Sequence, residues 1–164
     1  FAVFFCLILI LSVSLLKAGE YTLISSATAD SYIWEANPDN NYGTDVDLYT
    51  GNRTGLTQKC RTLAKFDVSP LYGYYIYYAT VSVNGRFING FQGEQTVHRV
   101  TTGWTETGVT YSSAVINTTK WTTPGGDFDT AISTVSMTTT YQYWNWDTTQ
   151  LVRDWVNEVY PTAI

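Results

Sequence analysis

Residues 58–67 read QKCRTLAKFD. In an extended chain successive side chains point to opposite faces, so Lys59, Arg61, Leu63 and Lys65 share one side of this stretch, and Cys60, Thr62, Ala64 and Phe66 share the other. The second set suits an interior, and the period predicts a strand with Cys60 turned inward. The first set gathers three of the chain's nine Lys and Arg residues on one ribbon of a protein whose net charge is −5.

The same alternation recurs on both sides of this strand. TLISS and DSYIWEA precede the turn-rich NPDNNYG, and DVDLYTG resumes the pattern before the turn at NRTG. Downstream come IYYATVSVNGRFI, whose Asn84-Gly85 step predicts a hairpin or a bulge, then EQTVHRVT, a long loop from Ser112 to Asp127, TAISTVSM and YQYWNWD. Composition agrees: aromatics reach 16% with 13 Tyr and 6 Trp, while charged residues are only 14%, a balance that favours strands over helices.

The period changes once. In DTTQLVRDWVNEVY, Leu151, Val152, Trp155, Val156 and Val159 recur at helical spacing, predicting a short amphipathic helix near 148–158 with Asp147 as N-cap and Gln150 as its capping-box partner. About eight short strands, one late helix and no internal repeat predict an all-β chain folded as a β-sandwich, with a jelly roll as the leading topology.

The first sixteen residues, FAVFFCLILILSVSLL, form an apolar run too short for a comfortable membrane span and are followed by Lys17, Ala18 and Gly19. The expectation is a secretory signal over 1–18, lacking its own start, ahead of a module over 19–164. The alternatives are an uncleaved anchor or an assembly helix. Cleavage leaves Cys60 as a lone buried thiol and the protein extracellular or at the cell surface, with no membrane association. Two sequons, Asn52-Arg53-Thr54 and Asn117-Thr118-Thr119, are glycan acceptors in a host with that machinery. Net acidity argues against nucleic acid as a partner, since phosphate neutralisation needs a broad cationic surface.

ADSYIWEANPDNNYGTDVDLYTG, RTLAKFDVSPL, VHRVTTGWTETGVTY, WTTPGGDF and WNWDTTQLVRDWVNEVYP occur in an order that resembles DNRLRE domains, the disaggregatase-related repeats and carbohydrate-binding module family 96. The likeness spans about residues 27–160. It implies a secreted jelly-roll module that binds acidic polysaccharides such as alginate and is attached to a polysaccharide-degrading enzyme or a surface protein. Such domains continue past the helix with further strand, so a chain stopping at VYPTAI is expected to be cut short at that end, ahead of any catalytic or repeat domain.

The resemblance also bears on residues. The R-x-L-x-K-F-D segment matches a family motif, so Arg61 and Lys65 inherit the implied polysaccharide contact, with Lys59 beside them. Arg61 and Lys65 stand four strand steps, about 13 Å, apart, a spacing that suits repeated uronate carboxylates. Trp104, Tyr111, Trp146 and Trp155 fall at motif positions that serve packing, whereas Trp34, Trp121 and Trp144 fall at strand ends or irregular segments, where an exposed ring can stack on a sugar. Asp39, Asp45, Asp47, Asp127 and Asp129 are candidates for a structural Ca²⁺, although no loop has EF-hand spacing. His98 is the only histidine and has no nucleophile or metal-ligand pattern around it, so a non-catalytic module is expected. A structural subunit of an extracellular matrix or filament is the competing reading.

Overall fold

The computed structural model describes residues 3–16, 20–52, 58–88 and 93–158. They form β1 (Val3–Leu16), β2 (Glu20–Ser26), β3 (Ala29–Trp34), β4 (Asp47–Asn52), β5 (Lys59–Lys65), β6 (Ile76–Phe87), β7 (Gly93–Val100), β8 (Ser113–Val115), β9 (Thr119–Lys120), β10 (Phe128–Met137), β11 (Gln142–Asp147) and the helix α1 (Thr149–Val156). The all-β expectation holds. Seven strands make one antiparallel sheet in the order β11-β6-β1-β4-β5-β3, with β2 also pairing with β1; β7 and β10 pair separately, and β8 and β9 form a small hairpin.

Alternation builds the central core. Tyr32, Leu48, Cys60, Val83, Trp144 and Trp146 point from the large sheet toward Met137 and the half-buried Val97 and Val135 of the β7–β10 pair, giving the two packed layers of a sandwich. The indole of Trp146 crosses between them and donates to the Gln95 carbonyl at 2.8 Å. Cys60 is buried, as its strand face predicts, and its thiol donates to the Tyr49 carbonyl at 3.3 Å.

The apolar run at residues 3–16 is a strand, not a helix. It lies between β6 and β4, with Leu11 opposite Val81 and Phe5 opposite both Gly85 and Leu48. Asn84-Gly85 makes no hairpin, because β6 runs through it unbroken; the irregularity falls on β1, between Phe5 and Leu9. No helix among the described residues is long and apolar enough to cross a membrane.

Helix α1 closes one end of the sandwich by setting Val152 and Val156 against Leu11, Leu71, Ile76 and Ala79. It begins one residue later than its pattern suggests, because Asp147 still pairs with Thr80 as the last residue of β11. Thr148 is therefore the N-cap, and Asp147 serves from one position earlier by accepting the Thr149 N–H at 2.9 Å. Gln150 does not close a capping box; its amide donates to Asp154 at 2.7 Å. Val159 lies outside the described residues.

Candidate functional site

Strand β5 has a buried residue on each face. Its Cys60 side meets the sandwich core, while Leu63, on the same side as the three cations, packs with Ile33, Trp104, Val109, Tyr111 and Trp121 in a second cluster. The chain from Thr101 to Asp127 folds back over the outer face of β3 and β5 to make this cluster. The basic stripe is thus partly roofed.

Each cation meets the roof differently. Lys65 Nζ donates to the Trp104 carbonyl at 2.5 Å and sits 5.0 Å from the centre of that indole; burial lowers its pKa. The Arg61 guanidinium donates to the Gly125 carbonyl and lies 4.9 Å from the centre of the Phe128 ring. Lys59, at the start of β5, is exposed. Its backbone N–H donates to Glu35 Oε2 at 2.8 Å. Among the described residues the ion pair formed is Arg99 with Asp129, remote from this stripe in sequence.

The loop under Arg61 owes its shape to WTTPGGD. Gly125 and Gly126 take φ of +99° and +105°, values that side chains with a Cβ strongly resist, and a Cβ on Gly125 would collide with the guanidinium. Asp127 ties the loop to itself, accepting from the Thr102 hydroxyl at 2.8 Å and from the N–H groups of Thr122 and Thr123 at 3.0 and 3.2 Å. Burial raises its pKa, but these bonds outweigh burial and the net shift is downward. Between this loop and the start of β5 runs an open groove of about 500 Å³. It is lined by Arg61, Tyr111, Phe128, threonines 101, 102, 122 and 123 and the acid Asp127, with the exposed Lys59 among them. Tyr111 is raised in pKa by burial, then by the charge of Glu35, with Arg61 opposing.

A groove lined with threonine hydroxyls, two aromatic rings, two cations and one carboxylate can receive a polyhydroxylated chain. A family model for carbohydrate-binding module family 96 matches residues 21–163. The chain belongs to that family. No curated protein and no solved structure matches it.

For this carbohydrate-binding module the structure brings Lys59 and Arg61 to one groove and sends Lys65 away to Trp104. The three tryptophans do not join them. Trp121 and Trp144 are only 5% and 8% exposed, in the second cluster and in the central core, and their indoles donate to the carbonyls of Thr110 and Gly85. Both therefore correct the expectation of exposed stacking rings: the face a sugar needs is covered by core. Trp34 is half-buried against the central core, on the opposite side of the sheet from the groove. The threonines and Tyr111 are the groove residues that sequence reasoning passed over; the signal was WTTPGGD, whose paired glycines mark a loop that another group must approach closely.

The candidate Ca²⁺ carboxylates are dispersed. Asp45 accepts from the Tyr32 hydroxyl, Asp129 pairs with Arg99, and Asp127 closes its own loop. Among the described residues no three His, Cys, Asp or Glu side chains gather as a metal site. Asp30 and Glu106 do meet: the Asp30 N–H donates to Glu106 Oε1 at 3.1 Å, and burial, then the Glu106 charge, raises the Asp30 pKa. Neither of these acids lines the groove. Asn117 sits exposed at the β8–β9 turn with φ of +62°; the other sequon runs into residues outside those described.

Proposed function

We propose that this module is a secreted, non-catalytic binder of acidic polysaccharide that holds an attached enzyme or surface protein against a uronate-rich polymer. The observation that carries the reading is the groove beside β5, where the exposed Lys59 and half-buried Arg61 line one space with four threonines and outnumber its one described acid, Asp127. A carboxylate there meets a cation whose strong hydration water is shed only at the contact, and the sugar hydroxyls replace water on the threonines. Secretion rests on the apolar run with Ala18 and Gly19 after it, and lack of catalysis on Asp127 being the one acid among the groove's described residues, its carboxylate engaged by Thr102, Thr122 and Thr123. A bound Ca²⁺, if the module takes one, is expected to order loops rather than to touch sugar.

Affinity electrophoresis through alginate, polygalacturonate and a neutral glucan tests this. Retardation by the uronates should fall steeply with salt, since exposed charges are screened within about 10 Å at 0.1 M. Lys59→Ala should weaken uronate binding about fivefold and leave the melting temperature unchanged, because the side chain is exposed. Wild-type retardation by the folded Lys59→Ala protein at low salt would sink the groove assignment.

A further inference from the structure

Residues 71–78, LYGYYIYY, hold five of the thirteen tyrosines. Tyr74 is half-buried against the cluster beneath α1. The others turn outward: Tyr75 is 62% exposed, Tyr77 60%, Tyr78 45% and Tyr72 37%. An ordinary strand cannot place two successive residues on one side, yet Ile76 and Ala79 are both buried, at 2% and 0%, with Tyr77 and Tyr78 between them both exposed. The register explains it. Tyr78 pairs with Ser14 but Ile76 with Leu15, so Tyr77 is the extra residue of a bulge, the device by which a strand re-aims side chains.

The segment is also held from behind. Arg153 of α1 donates from Nε to the Ile76 carbonyl at 2.7 Å and from Nη2 to the Tyr77 carbonyl at 3.1 Å, and its guanidinium lies 5.4 Å from the centre of the Tyr75 ring. Rings that are left in water forgo the burial that would stabilise the fold. Here the backbone beneath them is fixed, so a ligand would order few new bonds on binding.

We propose that Tyr75, Tyr77 and Tyr78 form a second saccharide surface, which stacks on the apolar faces of sugar rings in the same polysaccharide chain class. The proposal rests on the polysaccharide reading above, though not on removal of residues 1–18, which would take away the β1 partner of the bulge, and adds a contact that shares no residue with the groove. Tyrosine suits that occupant: its face meets C–H groups and its hydroxyl keeps a bond to water or to a sugar hydroxyl. Membership of a carbohydrate-binding family and the guanidinium beside Tyr75 favour a sugar over a purely apolar partner.

The test compares Tyr75→Ala/Tyr77→Ala, Tyr75→Phe/Tyr77→Phe and Lys59→Ala in the full chain, by affinity electrophoresis in alginate, polygalacturonate and a neutral glucan at low and high salt, with melting temperatures measured alongside. The alanine pair should lose about tenfold in affinity at both salt levels, since stacking is not screened, while the phenylalanine pair stays near wild type. Loss confined to Lys59→Ala, with the alanine pair at wild-type affinity, overturns the tyrosine surface and spares the groove. Failure of the wild-type chain to bind any of the three polymers overturns both. An alanine pair that changes self-association in sedimentation but not sugar affinity also overturns the proposal, and assigns the tyrosines to a second copy.

Discussion

Arg61 shows what a single residue's surroundings do to a reading of its charge. By alternation it is an outward cation, and outward cations contribute little to stability. Its guanidinium instead clamps Gly125 and covers Phe128. Arg61→Ala should therefore cost about 2 kcal/mol through the lost charge-assisted bond and the carbonyl left behind, and lower the melting temperature by about 5 °C. Lys65→Ala should destabilise in the same way through Trp104. Calorimetry of the two variants decides: unchanged melting temperatures would return both residues to the solvated face. Their loss of stability also makes them poor probes of affinity, and leaves Lys59 as the clean one.

At the level of elements, β5 was legible in its period and in its Cys60 face, and half-legible in its outer one. Leu63 stands among the three cations, and an apolar residue there signalled cover from elsewhere in the chain. What provides the cover is a segment about forty to sixty residues later in sequence, with Trp104, Tyr111 and Trp121 as its anchors, and local alternation carries no information about a contact so distant. The helix was legible because its apolar period is local; its first residue was not, since β11 retains Asp147. Both the helix start and the 122–127 loop depend on ionised carboxylates. Asp147, lowered in pKa chiefly by its bonds to Thr149, and Asp127 contribute stability that is present above their ordinary value of 3.8 and is lost as pH falls through the depressed folded values. Acid unfolding followed by circular dichroism should thus be less steep in Asp127→Asn than in wild type. Asp147→Ala should cost about 1 kcal/mol at neutral pH, and an equal cost at pH well below the folded value would count against the charge-based account.

For the whole molecule, the sandwich and its single helix follow from short alternating runs and one change of period, but the order of strands does not. The segment read as a secretory leader is the strand between β6 and β4. These two uses exclude each other in one molecule, because cleavage after Ala18 removes β1 and leaves the facing edges of β4 and β6 with open backbone groups. A chain starting at Gly19 should then melt lower than the full chain, and a peptide of residues 3–16 added in trans should restore part of the difference. Equal melting temperatures, with no effect of the peptide, would mean that the remaining strands close the gap themselves. N-terminal sequencing of the protein purified from its source decides between the two forms.

The buried indoles give the protein an optical property. Trp104, Trp121, Trp144 and Trp146 are all interior, and Trp34 and Trp155 are half-covered, so tryptophan emission belongs to the core and should be blue-shifted. Neither proposed binding surface includes a tryptophan among its described residues. A polysaccharide titrated onto them should leave the spectrum almost still, while denaturant should move it sharply to the red; the fluorescence of this module reads whether it is folded and is nearly blind to what it holds.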